Sequence, residues 1–390
     1  MFGFEIGELA LPLLALLTLS ASAGELSAIR TAQFLPFLVA TLPLGVLVDH
    51  CRRRPLMIKA DLGRFLVVAA IPAAVWADVA TVPLICGLMF ILGTLTVLYQ
   101  SADFALLPQV VTAAQLTDAN AKVGATASAA EISGRGVGGV LVQALTAPLA
   151  VLLNAFGYLI SAVSIARVSV AEERPERGAH RPVKAMADAL RMATSNPVLR
   201  GFLGGATTFN LFNEVFFLCL MLYLIDDVGA TPAMVGVVLV AGGVGSFLGA
   251  WFGAKLGRRF GYGKVLITTL AIGNTAPLAS ALTALVPGRE VTLLVCVFLT
   301  MGAGIGISNA HVVTVRQVVA PPSARGRLNA AYRLVSWGAI PVGATLGGLA
   351  ATIAGPWAGM VIGAGGMATA TLWVGASPVP RLRRLEDAAA

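Results

Sequence analysis

Long apolar runs, broken by short polar or Pro/Gly-rich turns, occupy this chain from end to end. The breaks predict spans at 2–20, 26–48, 56–77, 82–101, 123–145 and 149–166. After one polar stretch, further spans follow at 201–225, 232–254, 263–286, 291–312, 328–353 and 357–375. Crossing a bilayer as a helix takes about 20 apolar residues, and each run is close to that length. The alternation of apolar and polar positions that a membrane β-barrel needs is absent. The pattern therefore predicts an all-α integral membrane protein with 12 transmembrane helices. They divide into an N-terminal six-helix bundle (1–166), a cytoplasmic linker (167–197), a C-terminal six-helix bundle (198–375) and a cytoplasmic tail (376–390).

Composition agrees. Hydrophobic residues make up 57% of the chain and charged residues only 12%, with a mean hydropathy of +0.85, where soluble domains carry about 25% charged residues. The net charge of +8 reads as topology. With both termini cytoplasmic, all 27 lysines and arginines except Arg30, Arg289 and Arg135 fall in inside loops and ends, as the positive-inside rule demands. Arg30 and Arg289 go to outside loops and Arg135 lies within a span. The charge thus calls for anionic lipid as a partner and for no nucleic acid.

Two basic turns repeat. Gly45-Val-Leu-Val-Asp49-His-Cys-Arg52-Arg53-Arg54 follows the second span, and Gly249-Ala-Trp-Phe-Gly253-Ala-Lys-Leu-Gly-Arg258-Arg259 follows the eighth. Further landmarks recur 208 or 209 positions apart: Gln109 and Gln317, Asn120 and Asn329, Gly138 and Gly347, Ala147 and Gly355. Duplication explains so constant an offset, and it predicts two pseudo-symmetric bundles with a substrate site between them near the midplane. Gly45 and Gly249 are expected where a helix end approaches a neighbour closely.

The polar stretch 167–197 is expected to be a solvated tether, with Val183–Thr194 a short amphipathic helix on the inner leaflet. Cys86, Cys219 and Cys296 fall inside apolar spans and Cys51 in a turn, so all four read as small hydrophobes. No cleavable signal peptide is expected, because Glu5 and Glu8 stand where a basic segment belongs.

The G-x-x-x-D-x-x-x-R-R pattern at Gly45, Asp49, Arg53 and Arg54 resembles the signature loop of the major facilitator superfamily. ALPLLALLTL in the first span, YQSADFALLPQVV after the fourth and RQVVAPPSARGRLNAAYRLVSWGAIPVG through the tenth and eleventh are similar to its branch of macrolide-efflux proteins and enterobactin exporters. That resemblance implies a cytoplasmic latch. Asp49 would cap the amino end of the eleventh span near Arg327 to Asn329, using its unsatisfied N–H groups, and Arg53 would pair with Asp103. The alternative is that these are exposed charges worth about 1 kcal/mol or less each. In the second-half motif, formed by Gly249, Gly253, Arg258 and Arg259, glycine stands where the first copy has Asp49, so a latch made through the acid is asymmetric.

Charges inside spans are the remaining signal, since each costs about 2.5–3.5 kcal/mol at a helix centre on insertion scales. Glu8 lies in the first span, Glu131 and Arg135 in the fifth, and Glu214 in the seventh beside Asn210 and Asn213. Glu131 and Arg135, four apart, share a helical face and can neutralise each other; the alternative is that the pair belongs with Glu8, Asn210, Asn213 and Glu214 among the proton and substrate candidates, with Arg135 attracting an anionic substrate. A proton-coupled exporter needs a buried carboxyl able to take up and release a proton, and Glu214 and Glu8 are the candidates, on the first helix of each bundle. The alternative for each is a satisfied acid near a helix end. Antiporters of the superfamily carry a glycine-proline motif in the fifth span, but here Arg135 stands at the proline position. The arginine of the family's fourth-span proton relay is also missing, so proton coupling is implied by the resemblance rather than by these residues.

Phe209, Phe212, Phe216, Phe217, Met221, Trp251 and Trp337 suit either a greasy substrate pocket or plain packing against helices and lipid. His311 reads as a hydrogen-bonded interface histidine. No phosphate-binding G-x-x-x-x-G-K-[ST] and no metal-ligand cluster occur, so neither a cofactor nor a metal is expected, and the chain is not expected to be an enzyme. The function implied is secondary, proton-coupled efflux of amphipathic small molecules from a monomer in the cell (plasma or inner) membrane. Export of an endogenous metabolite such as a siderophore or antibiotic is the near alternative. A transport-inactive sensor or scramblase is the distant one.

Overall fold

A computed structural model describes residues 2–110, 116–167, 182–319, 321 and 325–382. Most of the expected tether, 168–181, and the tail from 383 onward lie outside the described residues. Fourteen α-helices occur among those described: α1 (Phe2–Leu17), α2 (Ala23–Val39), α3 (Thr41–His50), α4 (Arg53–Trp76), α5 (Val82–Val110), α6 (Leu116–Leu145), α7 (Ala147–Arg167), α8 (Pro182–Ser195), α9 (Pro197–Leu222), α10 (Pro232–Phe260), α11 (Tyr262–Thr275), α12 (Glu290–Val319), α13 (Arg325–Ala354) and α14 (Pro356–Gly375). Short π (Tyr223–Asp227) and 3₁₀ (Ala276–Leu285) segments extend α9 and α11.

Eight of these helices are long and apolar enough to cross a membrane on their own, and the bent pair α2/α3 makes a ninth. The other expected spans are helical too. α1 has only 16 residues, α4 carries Arg53, Arg54, Lys59, Asp61 and Arg64, and α6 carries Glu131 and Arg135. Several helices outrun the apolar pattern. α5, α6, α10 and α12 continue into polar sequence because a helix satisfies its own backbone in lipid and at the interface alike.

Local chemistry sets the ends and breaks. Ser22 and Glu25 form a capping box at α2, with the Ser22 N–H donating to Glu25 Oε2 at 2.8 Å and the Glu25 N–H to Ser22 Oγ at 3.3 Å. Asn196 caps α9 by accepting from the N–H groups of Val198 and Leu199, with Pro197 at the first helical position. Pro43 has no N–H for the carbonyl of Val39, and at that place the second span bends by 53° between α2 and α3. Pro277 likewise has no N–H to offer, and there the ninth span tightens into 3₁₀ geometry.

The chain divides into two compact units, Met1–Pro182 and Val183–Ala390. Inside the first, α1 packs on α6 and α7, α2 on α5, and α4 on α5 and α7. Inside the second, α9 packs on α13 and α14, α10 on α12, and α11 on α12 and α14. Helix for helix the pairing is the same, as duplication predicts. α8 belongs to the second unit: Ala193 is buried in a cluster with Leu199, Leu203 and Leu328. The expected amphipathic helix therefore forms, with its alanine face on protein.

The two motif glycines part company. A Cβ on Gly249 would run into the carbonyl of Ala303, whereas one on Gly45 would meet nothing within 4 Å. The close approach expected at both exists only at Gly249. Gly45 sits on the short helix α3, which packs on α5 and buries Val48, but the Cβ direction at Gly45 itself is open.

Candidate functional site

The charged residues of the first unit fall into two clusters. Glu8 of α1 accepts from Arg30 Nη1 at 3.0 Å and from Gln33 Nε2 at 2.7 Å, both on α2, and Arg30 also donates to Gln33 Oε1 at 3.2 Å. The guanidinium lies 4.9 Å from the centroid of the Phe34 ring. Arg30, expected in an outside loop, is in fact 5% exposed within α2. Its position three residues before Gln33 places both on one helical face toward α1, and a loop assignment from charge alone has no access to that face.

Asp61 and Arg64 form the second cluster. Both are buried on α4, the acid completely, and they are ion-paired. The guanidinium of Arg64 lies 4.0 Å from the centroid of Tyr99 on α5 and 4.7 Å from that of Tyr158 on α7. A cation between two rings is held by their quadrupoles as well as by the acid. Sequence reading counted Arg64 among the inside-loop charges and passed over Asp61. The available signal was the spacing of three residues in a stretch that is otherwise apolar on one face.

At the basic turn, Arg53 opens α4 half-buried and Asp103 lies exposed near the end of α5. The neighbouring Arg54 clamps the carboxyl end of α7, donating to the carbonyls of Ile165 at 3.1 Å and Ala166 at 2.6 Å. A cation there also meets the negative end of the helix dipole. The side chains of Asp49, Glu131, Arg135 and Arg258 lie outside the described residues. The backbone of α6 is nonetheless close to α1, for a Cβ on Gly134 would come within 2.6 Å of Glu5 Cβ and one on Gly138 within 3.4 Å of Ile6 Cα. Helix contacts through small residues are the usual device in lipid.

In the second unit, Glu214 is 5% exposed on α9. One turn earlier, Asn210 donates to the carbonyl of Ser336 on α13 at 2.9 Å, and Asn213 is half-buried beside them. Gly343 of α13 makes room for the acid, since a Cβ there would meet Glu214 Cβ at 3.1 Å and collide with the carbonyl of Leu211. Most of the aromatic set serves packing. Phe216 and Met221 are fully buried, Phe212 fills the space left by Gly366, and Trp251 is 66% exposed on the surface of α10.

Near the other basic turn, Asn329 of α13 accepts from Arg316 of α12, whose guanidinium also lies 3.8 Å from the centroid of Tyr332. Arg327 is in the first turn of α13, which begins at Arg325. Gly253 is buried against Ile307 and His311. His311 donates or accepts at the Ile307 carbonyl through Nδ1 at 2.8 Å and packs against Tyr262. Arg259 is exposed. Among the described residues no three His, Cys, Asp or Glu side chains come together as metal ligands.

Two like units, each of six membrane helices in the same pairing scheme with charged groups buried in their interiors, define the class: a multi-pass helical membrane transporter. The chain belongs to the Major Facilitator Superfamily, whose sequence model matches residues 1–344. It is 28% identical over 377 residues to the multidrug efflux pump Tap of Mycolicibacterium fortuitum, covering 94% of this chain and 90% of that one. Its fold is similar to that of the nucleoside transporter NupG, with a TM-score of 0.72 at 12% identity over 96% of each chain. It is also similar to a bacterial homologue of the iron transporter ferroportin in its inward-facing state, with a TM-score of 0.65 at 15% identity over 95% of each chain. The protein is thus a membrane transporter of small molecules and not an enzyme.

Proposed function

We propose that this transporter exports amphipathic small molecules, including drugs, in exchange for protons, by alternating access of the two units to either side of the cell membrane. The observation that carries this reading is the burial of Glu214 on α9, the first membrane-spanning helix of the second unit, with two asparagines beside it, in a chain similar along its length to a multidrug efflux pump. Acids within membrane helices mark proton pathways by default. Both oxygens of Glu8 are occupied by Arg30 and Gln33, so we assign Glu8 to holding α1 on α2. We assign the proton to Glu214 on its burial within the apolar run of α9. The chain acts as a monomer with both termini in the cytoplasm. Asp49, Arg53 and Asp103 belong to a latch that closes the cytoplasmic side.

The test is efflux of a fluorescent dye from proteoliposomes under an imposed pH gradient. Glu214→Gln is expected to abolish gradient-driven efflux while leaving the purified protein monodisperse. Glu8→Gln is expected to lower the thermal midpoint and keep a gradient response. Full gradient-driven efflux by Glu214→Gln would remove the assignment.

A further inference from the structure

In the second unit α12 lies between α10 and α11, and those two flanks scarcely touch each other. Bare backbone draws α12 in on both sides. A Cβ on Gly245 of α10 would collide with the carbonyl of Leu299, and one on Gly304 of α12 would come within 2.6 Å of Gly273 Cα and the Thr269 carbonyl on α11. With α12 recessed, a groove of about 410 Å³ remains over it, walled by Leu248, Ile272, Leu299, Thr300 and Ile307.

Its chemistry is uniform. No charged residue lines it, and the two threonine hydroxyls are spent on their own helices: Thr269 donates to the Val265 carbonyl and Thr300 to the Cys296 carbonyl, each at 2.8 Å. The groove runs along α12 from Leu299 to Ile307, about 12 Å at the helical rise. Those two residues stand nine in from either end of the span Glu290–Arg316, which puts the groove at the centre of the bilayer. Leu248, Ile272 and Leu299 are between 40% and 46% exposed at its rim, so the groove is open along that edge.

We propose that this groove is a binding site for the terminal part of one phospholipid acyl chain. An apolar recess of this kind does not hold water, and left empty it forfeits the dispersion contacts of its lining. An amphipathic drug brings polar groups that need partners, and the groove offers no unspent donor. Hydrocarbon demands none, and it reaches this depth from the surrounding membrane. The first unit fills the corresponding place with a side chain. Shifted by 208 positions, the segment Leu299–Ile307 falls on Ile91–Tyr99 of α5, where the side chain of Leu95 packs on Gly63 of α4.

The experiment reconstitutes the full chain in nanodiscs of phosphatidylethanolamine and phosphatidylglycerol doped with a phosphatidylethanolamine bearing a diazirine at the end of one acyl chain. Photolabelled positions are then mapped by mass spectrometry. Labelling at 245–248 and 299–307 is expected to exceed that at Leu372, an exposed position on α14, several-fold. Thr300→Phe, which fills the groove from its rim, is expected to remove the excess, and Ile362→Phe on α14 to leave it. Even labelling of the groove and Leu372 in the wild-type protein would overturn the proposal without any variant. So would an excess that survives in folded Thr300→Phe. Displacement of the label by a transported dye would give the groove to the drug instead.

Discussion

The segments Ile91–Tyr99 of α5 and Leu299–Ile307 of α12 hold the same place in the duplicated plan, yet they keep their neighbours in place by different means. ILGTLTVLY has one glycine, Gly93, where a Cβ would collide with the carbonyl of Gln33 on α2, and otherwise packs by side chains, with Tyr99 stacked on a buried Arg64 that is neutralised by Asp61. LTMGAGIGI has three glycines and packs by backbone. Gly302 and Gly306 would collide with the carbonyls of Gly242 and Ser246 if they carried a Cβ. Without a hydrophobic force between helices in lipid, association rests on close packing and polar contacts. Both copies keep one backbone contact of this kind, at Gly93 and at Gly302; beyond it the first adds a polar cluster and the second two more glycines. The first is intolerant of lost charge, the second of added bulk.

That contrast can be broken by substitution, and the largest effect is expected at Arg64. Arg64→Ala leaves Asp61 buried without its cation, a change worth about 3–5 kcal/mol, read as a lowered thermal midpoint of the purified protein. The double replacement Asp61→Leu with Arg64→Met should recover most of it. An unchanged midpoint in the single variant would show that the charge cluster does not hold α4, α5 and α7 together. Next comes Gly306→Val in the second unit, where overpacking against Ser246 of α10 should cost about 1–3 kcal/mol. A neutral result there would mean that the α10–α12 contact yields easily. The smallest effect is expected at Gly45→Ala, within about 0.5 kcal/mol, because the added methyl meets nothing. A large loss at Gly45 together with a small one at Gly249→Ala would reverse the distinction drawn between the two motif copies.

Much of the architecture was legible in the order of residues. Twelve apolar runs, the repeated basic turns and the offset of 208 or 209 positions all report local composition, and a membrane helix is a local structure whose backbone bonds close within itself. What stayed hidden depends on direction around the helix axis. Arg30 and Arg64 were assigned to loops because a charge near the end of an apolar run reads as a boundary. Only the packing of α1 on α2, and of α4 on α5 and α7, shows that they point inward. The motif at Gly45 matched the family pattern while its contacts did not match those at Gly249, because the bend before α3 changes what a glycine there faces. For the candidate site, Glu214 stood out as a lone acid in an apolar run, and Glu8 did too. That Glu8 already has two partners could be seen only once α2 was in place beside it.

The bend after Val39 has a mechanical consequence for the turn that follows it. α3 is a helix of ten residues, about 15 Å long at the helical rise, with the bend at one end and, beside Asp49 at the other, Val48 buried among Met57, Ala102 and Leu106. Beyond the bend, α2 is anchored to α1 through Arg30 and Glu8. A swing of about 10° at the bend would displace the tip by about 2.6 Å, a length that follows from that of the helix and is comparable to a hydrogen bond. Any such swing would have to unseat Val48 from Met57, Ala102 and Leu106, so the missing N–H sets the angle at which the basic turn is held.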